Sequence, residues 1–407
     1  MVGAGAAATL ANLLDARTGA AQMQAPAGSP GQEGEAFWRE VRDQFLIPPD
    51  RIYLNVGTLG PQPRPVVDAM VAAIRRVAET YPPGVPWDRI RTRLGGLLDA
   101  DPAGFVFPRN TTEGMNWVAQ GLELAAGDEV VTTDHEHIGG LCCWQLLAAR
   151  RGVRLRVVSL PDPSAGPEET IRRVRAALSP RTRVLSISHV LFTNGAVMPV
   201  EELVRECRER GIISVVDGAH PPGLMPVSLR RIDPDFYASS PHKWLLAPQG
   251  TGLLYIREDW RARLWPTIAS GDWDNLALGA HRLDHVGTLD ESRFAGLDAA
   301  LEFHEQIGPE RVYARIRSLR EHLAARLAEL PGVRIMSPAR GLPVAGMVAF
   351  RVDGMDALEL QRRLAQSANV RSRVIGEYGY GWMRLAPHIY NAPEELDRVV
   401  DLIARAR

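Results

Sequence analysis

The sequence has few cysteines, a single lysine and almost no excess of either charge. Its three cysteines are Cys142, Cys143 and Cys207, which cannot form a disulfide framework and show no metal-ligand spacing. The 47 lysine and arginine residues against 48 aspartates and glutamates lack the basic excess typical of nucleic-acid-binding proteins. No segment has the length of a membrane helix. We therefore expect neither a nucleic-acid partner nor a membrane span.

The chain of 407 residues is 45% hydrophobic and 23% charged, and it is long enough for two or three lobes of about 150 residues each. Residues 1–34 differ from the rest, because they are rich in alanine, glycine, glutamine, proline and serine. We expect this stretch to be a disordered tail, or the remnant of an export signal whose basic part is missing. The expected location is cytoplasmic, with export as the alternative.

Short apolar strands alternate with helical segments between residues 104 and 256. This alternation favours a doubly wound α/β domain with a mostly parallel sheet, whose ligand lies beyond the carboxyl ends of the strands. After residue 290 the pattern changes to a long helix over about 292–330, bent near Gly308, and then to a small α+β lobe in which one strand is predicted over 370–375. We expect an N-terminal segment and large domain over 35–290. The small domain is expected over 291–407, with the N-terminal segment packed on it.

Lys243 stands out because it is the only lysine in the chain. It follows a predicted strand, at the end of the sheet where an α/β fold binds ligands, and a lysine amine can form a Schiff base with an aldehyde cofactor. Asp217 ends another buried strand, where its carboxylate is costly unless a cation such as a protonated pyridine nitrogen meets it. Alone, Lys243 could be a surface lysine and Asp217 a strand-end cap. Together they indicate a site for an aldehyde cofactor with a pyridine ring.

Two further segments complete the predicted cofactor site. Thr111 and Thr112 lie where a strand gives way to a helix, and the N-terminus of that helix favours a phosphate. The alternative there is a simple N-cap by Asn110. His137 follows the next strand, where its ring can stack on a flat cofactor. A metal site is not expected, because the spacing of His135 and His137 does not place both on one helix face.

These motifs resemble those of a known family. The run Asp217-Gly-Ala-His220, followed by Ser240-Pro-His-Lys243-Trp-Leu-Leu-Ala-Pro-Gln-Gly250-Thr-Gly, is similar to the class V aminotransferases, which are fold-type I enzymes that use pyridoxal 5'-phosphate (PLP). Within that family the chain most resembles isopenicillin N epimerase-like proteins, next to the cysteine desulfurase and selenocysteine lyase branch. The resemblance covers most of the chain beyond the N-terminal stretch. It implies a large PLP-binding domain, a small C-terminal domain and a C2 homodimer.

The resemblance also implies a role for each site residue. Lys243 holds PLP and moves the Cα proton, Asp217 pairs with the pyridine nitrogen, and His137 stacks on the ring as the third catalytic residue. His220 approaches the phenolic oxygen, and Arg384 binds the α-carboxylate of an amino acid substrate through a bidentate pair. The implied phosphate ligands are Thr111, Thr112, Ser240, His242 and, from the neighbouring subunit, Thr288. The residues implied on the substrate side are Asn55, Gly57 and Thr58.

Two departures from the family pattern bear on the reaction. Phe192 stands where the desulfurase branch commonly has an asparagine, and no cysteine follows Cys207, so a persulfide-forming mechanism lacks its nucleophile. The expected function is therefore that of an epimerase or aminotransferase acting at the α-carbon of an amino acid. A cysteine-independent C–S or β-lyase is one alternative, and a non-catalytic binding protein that keeps only the fold is another.

Some side chains allow more than one interpretation. An epimerase needs a second acid or base on the opposite face of Cα, for which His137, Tyr378 and Tyr380 are candidates. Arg371 and Arg373 could meet a second substrate carboxylate, or they could simply face solvent.

Overall fold

The structure, a computed structural model, describes residues 34–80, 84–161, 165–339 and 341–406. The expected tail or signal remnant therefore lies, apart from Gly34, outside the described residues. Within those ranges, no helix is long and apolar enough to cross a membrane.

Helices and strands alternate along most of the described chain. The first elements are α1 (Glu35–Arg42), β1 (Ile52–Tyr53), α2 (Arg64–Thr80), α3 (Trp87–Leu98) and β2 (Phe105–Val106). The alternating region consists of α4 (Thr111–Gly121), β3 (Glu129–Thr133), α5 (Ile138–Arg151), β4 (Arg154–Val158), α6 (Gly166–Ala177), β5 (Thr182–Ser188), α7 (Val200–Glu209), β6 (Ile213–Asp217), α8 (Leu229–Ile232), β7 (Phe236–Ser239) and β8 (Leu253–Ile256). The elements after it are α9 (Glu258–Arg261), α10 (Ser292–Ile307), α11 (Pro309–Ala328), β9 (Val333–Ile335), β10 (Val348–Val352), α12 (Ala357–Ala368), β11 (Val370–Arg371), β12 (Arg373–Ile375), β13 (Trp382–Leu385) and α13 (Pro393–Arg405).

The large sheet has seven strands in the order β2-β8-β7-β6-β5-β3-β4, in which β8 runs antiparallel to both of its neighbours and the other pairs are parallel. Successive residues of a strand point to opposite faces, so Val130 and Val131 of β3 belong to two different hydrophobic cores. Val215 and Val216 of β6 divide in the same way. Burial on both faces explains the nearly continuous apolar strands. The prediction of a doubly wound, mostly parallel sheet is confirmed.

A second, antiparallel sheet has the order β12-β13-β10-β9. It packs on α11, α12 and α13 through a core that includes Leu323, Leu360 and Leu396. The N-terminal segment joins this core, because β1 pairs in parallel with β11 and Leu54 is fully buried there. The combination of this α+β part with the large sheet is the fold-type I architecture expected from the sequence.

Two elements differ from the sequence prediction. The bent helix expected over 292–330 is two helices, α10 and α11, because Gly308 adopts a φ of 93° and Pro309 has no N–H to continue the hydrogen-bond pattern. The strand 370–375 is divided at Ser372 into β11 and β12, which belong to different sheets. This division places Arg373 opposite a residue of β13.

The domain boundary expected between residues 290 and 291 stays a prediction. The helix that follows it, α10, packs against α2 and adds Phe294 and Leu297 to the core on one face of the large sheet. The chain after residue 290 therefore contributes to the packing of both sheets.

Candidate active site

A cavity of about 270 Å³ lies at the carboxyl ends of β6 and β7. Asp217 is the last residue of β6, and Lys243 follows β7. The first residues of α4 and the residue that precedes α5 line the same space, as expected for the ligand-binding edge of an α/β sheet. The lining residues are Gly57, Thr58, Asn110, Thr111, Thr112, His137, Gly140, Phe192, Asp217, Ala219, His220, Ser240, His242, Lys243, Arg373 and Arg384.

The side chain of Lys243 faces an imidazole inside this cavity. Its Nζ atom lies 3.4 Å from Nε2 of His220, and Nδ1 of His220 accepts a hydrogen bond from the indole N–H of Trp244 at 3.0 Å. Burial lowers the pKa of Lys243 to about 8, with Asp217 opposing this effect and Arg384 adding to it. The neutral amine, which is the form that attacks an aldehyde, is therefore much more accessible than in an ordinary lysine.

The carboxylate of Asp217 is only partly hydrogen-bonded. Its Oδ1 atom accepts from the backbone N–H of Ala219 at 3.0 Å, while Oδ2 has no hydrogen-bond partner among the described residues. A Cβ atom at Gly140 would lie 2.9 Å from Oδ2, so the absence of a side chain there keeps this oxygen accessible. Burial raises the pKa of Asp217, and Lys243 opposes the effect. A cation that reaches Oδ2 would stabilise the ionised form.

Hydroxyl and N–H groups converge at the N-terminus of α4. The Thr111 N–H donates to Oγ of Ser240 at 3.1 Å, and the hydroxyl oxygens of these two residues lie 2.7 Å apart. Asn110 caps the helix by accepting from the N–H of Glu113 at 2.9 Å, so the simple N-cap considered from the sequence is also present. His242 adds a buried Nδ1 atom that has no partner in the described part of the chain. This end of the cavity offers several donors to an anion.

His137 precedes α5 and caps it. Its Nδ1 atom accepts from the backbone N–H of Gly139 at 3.1 Å, and its ring meets the ring of Phe192 edge to face with centroids 5.1 Å apart. Burial, assisted by Lys243, lowers the pKa of His137 to about 4. The ring is therefore neutral near pH 7 and carries its proton on Nε2.

The guanidinium of Arg384 is buried without a carboxylate partner among the described residues. Its Nη1 atom donates to the carbonyl oxygen of Phe192 at 2.6 Å and its Nη2 atom to the hydroxyl of Thr58 at 3.2 Å, while Nε has no partner there. Burial lowers the pKa of Arg384 to about 9, and Arg373 adds to this effect. Gly57 permits the close approach, because a Cβ atom there would lie 3.2 Å from Nη2. Such a group favours an incoming carboxylate.

Two residues implied by the family resemblance lie outside the cavity lining. Asn55 is buried, and its Oδ1 atom accepts from the Thr58 hydroxyl at 2.9 Å, so it orients a residue of the lining; its own role on the substrate side stays a prediction. Thr288 is exposed in the single chain. A role for Thr288 at the phosphate of a neighbouring subunit stays a prediction.

The two tyrosines considered as acid–base groups also lie outside the cavity lining. Tyr378 donates its hydroxyl to the carbonyl oxygen of Glu136 at 2.6 Å, and Tyr380 donates to the carbonyl oxygen of Asp134 at 3.3 Å. Of the three candidates for the second acid or base, His137 is therefore the one that lines the cavity.

Two residues at the site, Gly140 and Glu136, were not predicted from the sequence. Glu136 is buried beside the cavity, where Oε1 accepts from the Thr133 hydroxyl at 2.6 Å and Oε2 from the Ser188 hydroxyl at 2.5 Å. Burial raises the pKa of Glu136 to about 7, and the charge of Asp217 contributes further. The available signal was an acidic residue immediately before a candidate site histidine, at the end of a buried strand.

The residues present fit PLP. The cavity combines an amine of lowered pKa at Lys243, an accessible carboxylate oxygen at Asp217 and anion-binding donors at the start of α4. His242 also lines this end of the cavity, beside Thr111 and Ser240. Among the described residues, no group of three or more His, Cys, Asp or Glu side chains could hold a metal ion.

Comparison with known proteins identifies the family. The family model for aminotransferase class V matches residues 86–399. The chain belongs to the class V aminotransferase family. The isopenicillin N epimerase of Streptomyces clavuligerus is 34% identical over 391 residues, which are 90% of this chain and 98% of that protein. The isopenicillin N epimerase of Amycolatopsis lactamdurans is 33% identical with the same coverage, and the cysteine desulfurase of Haloferax volcanii is 31% identical over 88% of this chain and 89% of that protein.

Solved structures with 28% sequence identity have the same fold. A complex of the cystine C–S lyase C-DES with its product cysteine persulfide gives a TM-score of 0.78 at 28% identity, over 88% of this chain and 98% of that chain. A C-DES variant with glycine covalently linked to PLP gives the same TM-score and identity over 89% and 98%. Together with the family, these structures indicate PLP as the cofactor. The family, fold and cofactor predicted from the sequence are confirmed.

Proposed function

We propose that this class V PLP enzyme catalyses epimerisation at the α-carbon of an amino acid, with aminotransfer as the second candidate reaction. The observation that carries the proposal is that Lys243 and Arg384 line one cavity, the first as an amine of lowered pKa and the second as a buried guanidinium without a carboxylate partner among the described residues. Similarity to two isopenicillin N epimerases over 98% of their length favours epimerisation.

Each residue of the cavity would have a different role in the reaction. When bound, PLP supplies an electron sink that stabilises negative charge at the substrate Cα. Lys243 would hold the cofactor and take the Cα proton, Asp217 would keep the ring nitrogen protonated, and Arg384 would bind the α-carboxylate and so orient the substrate. The proposed phosphate ligands are Thr111, Thr112, Ser240 and His242.

Epimerisation also requires that a proton return to the opposite face of Cα. His137 suits this role, because its Nδ1 accepts from the Gly139 N–H and its neutral ring therefore presents a proton on Nε2. His220 is oriented in the same way by Trp244, and its Nε2–H can donate to the phenolic oxygen of the cofactor. In both histidines a donor to Nδ1, the Gly139 N–H for His137 and the Trp244 indole for His220, places the ring proton on Nε2.

The single lysine makes the first test specific. Borohydride reduction of the holoenzyme should fix a pyridoxyl group on one lysine-containing peptide, and Lys243→Ala should lose both this label and the visible absorption band of the cofactor. Wild-type enzyme in D₂O should exchange the Cα proton of its substrate, and Lys243→Ala should not. Retention of the band and of exchange in Lys243→Ala would contradict the proposal.

Products then separate the candidate reactions. Formation of the D isomer without a keto acid supports epimerisation, and turnover that requires a keto acid supports aminotransfer. Release of pyruvate would instead support a cysteine-independent lyase, a candidate favoured by the likeness to the cystine C–S lyase C-DES and by the lack of any cysteine after Cys207. A labelled protein that exchanges no amino acid proton would support a non-catalytic role.

We also infer that the enzyme is a homodimer. Several large apolar side chains on the segment that leads to Thr288 are exposed in the single chain, which is unusual unless another surface covers them. They are Trp265, Ile268, Trp273 and Leu276. The molar mass in solution tests this, and a monomer at working enzyme concentration would contradict it and remove the proposed role of Thr288.

A further inference from the structure

Two arginines face each other across the strands that close the active site. Residue 373 of β12 is the register partner of residue 384 of β13 in this antiparallel pair, and both arginine side chains line the cavity. Directly opposed residues lie on the same face of a sheet, where like charges destabilise the pairing. The arrangement therefore carries an electrostatic cost in the free protein: burial is the main cause of the lowered pKa of Arg384, and the charge of Arg373 adds to it.

The cavity is short of negative charge. Its lining contains three cationic side chains, those of Lys243, Arg373 and Arg384, but Asp217 is the one acidic residue in that lining. Arg373 forms an ion pair with Glu377 of the following turn through one of its terminal nitrogens, and its side chain remains 35% exposed. Arg384 has a carbonyl and a hydroxyl oxygen instead of a carboxylate.

We propose that the enzyme is specific for amino acids that carry a second anionic group, with the α-carboxylate at Arg384 and the side-chain acid at Arg373. This inference rests on the proposed function. The cofactor phosphate does not use up these charges, because its proposed ligands lie on α4 and after β7. Arg373 is therefore left to distinguish substrates by their side chains.

Glu377 is the internal competitor in this proposal. An acidic side chain of the substrate can replace the Glu377 carboxylate at Arg373, so neither state leaves the guanidinium without an anion. A neutral side chain cannot make this exchange and gains nothing from Arg373. The pair thus lowers the affinity for acidic substrates and leaves the affinity for neutral ones unchanged, so Arg373 provides the selectivity and Glu377 limits it.

A purely structural role for the Arg373–Glu377 pair would be to fasten the turn before β13. That role predicts equal effects of substitution on acidic and neutral ligands, whereas specificity predicts opposite effects at the two positions. Arg371 supplies a matched control, because it is exposed and lies outside the cavity lining although it is only two residues from Arg373.

The test is titration of the holoenzyme, followed by the visible band of the cofactor, with the pairs glutamate and glutamine, and aspartate and asparagine. We expect the preferred acid to bind about tenfold more tightly than its amide. Arg373→Gln should bring this ratio close to one by weakening the acid alone, Glu377→Gln should increase the ratio, and Arg371→Gln should leave it unchanged. Thermal unfolding of each variant checks that the fold is intact.

Two outcomes would overturn the inference. One is a wild-type acid-to-amide ratio near one, and the other is an equal loss of acid and amide binding in Arg373→Gln. Both leave the proposed function intact, since amino acids still perturb the cofactor. If no amino acid perturbs the band and no Cα proton exchanges, the proposed function itself fails.

Discussion

Lys243 and His220 face each other in the cavity, with Nζ of the lysine 3.4 Å from Nε2 of the histidine. The other ring nitrogen of His220 accepts from the indole N–H of Trp244, and an indole N–H can only donate. Burial, with the charge of Lys243, keeps the pKa of His220 well below its usual value, so the ring is neutral. Its proton is therefore on Nε2, directed at the lysine, and the neutral amine is the better partner.

This arrangement predicts the pH dependence of cofactor capture. The neutral amine of Lys243 reacts with the aldehyde of PLP, so the capture rate should rise with pH through an apparent pKa of about 8 and level off above it. Stopped-flow absorbance of the cofactor-free protein mixed with PLP measures this profile. A midpoint near the ordinary lysine pKa of 10.5 would contradict the assigned environment.

Trp244→Phe tests whether the tautomer matters. Without the indole donor, His220 can carry its proton on Nδ1 and accept from a charged Lys243 through Nε2, so the midpoint should move upward. Trp144→Phe is the matched control, because Trp144 is also fully buried and donates to Ser186 at 2.8 Å outside the cavity lining. If both variants shift the midpoint equally, the effect comes from general loosening of the core.

Arg384 should be useful for binding but unfavourable for stability. Replacing a buried charge by an apolar side chain of similar size is often neutral or stabilising. We expect Arg384→Met to unfold at the wild-type temperature or above it in the cofactor-free protein, and to lose about 2–5 kcal/mol of amino acid binding. Thermal unfolding and substrate titration measure the two effects.

The matched control for Arg384 is Arg91→Met. Arg91 is equally a buried arginine, but its Nη2 atom pairs with Asp284 at 2.8 Å. Its removal leaves a buried carboxylate unpaired, which costs about 3–5 kcal/mol. A loss of stability in Arg384→Met as large as that in Arg91→Met would mean that the hydrogen bonds of Arg384 to Phe192 and Thr58 outweigh its desolvation.

Much of the fold could be predicted because strands buried on both faces are short apolar runs. The division of the predicted strand 370–375 at Ser372 could not be predicted, because it depends on the pairing of β11 with β1, which is distant in sequence. The sequence predicted a bent helix at Gly308 and not two separate helices, because a Gly-Pro pair is compatible with both a kink and a helix end.

The candidate site was predictable where chemistry and position coincide. Lys243 and Asp217 stand at strand ends that a parallel sheet brings to one edge. Glu136 was not predicted, and the contact of Asn55 with Thr58 was not foreseen, because whether a polar side chain faces the cavity or a neighbouring hydroxyl is decided by tertiary packing. That Arg373 lies opposite Arg384 became apparent only from the register of β12 and β13.

Glu136 and Glu129 are both buried and each accepts from two hydroxyls, yet their pKa values shift in opposite directions. Burial raises the pKa of Glu136 to about 7, and the charge of Asp217 adds to this. At Glu129 burial acts in the same direction, but the hydroxyls of Thr182 and Ser179 together with the positive charges of Arg156 and Arg181 outweigh it, and the pKa is lowered. The two glutamates should therefore respond oppositely to substitution by glutamine.

For Glu136 the folded protein binds the proton more tightly than the unfolded chain, so its contribution to stability falls as pH rises from 4.5 to about 7. Glu136→Gln removes this loss, and its unfolding free energy should exceed that of wild type by up to about 3 kcal/mol above neutrality and by little in acid. For Glu129, the stability is present above the unfolded pKa of 4.5 and is lost as pH falls, so Glu129→Gln should be most destabilising at neutral pH. Denaturant unfolding of the cofactor-free protein over a pH series measures both. A difference between Glu136→Gln and wild type that is the same at every pH would show that this carboxyl acts through its shape and not through its charge.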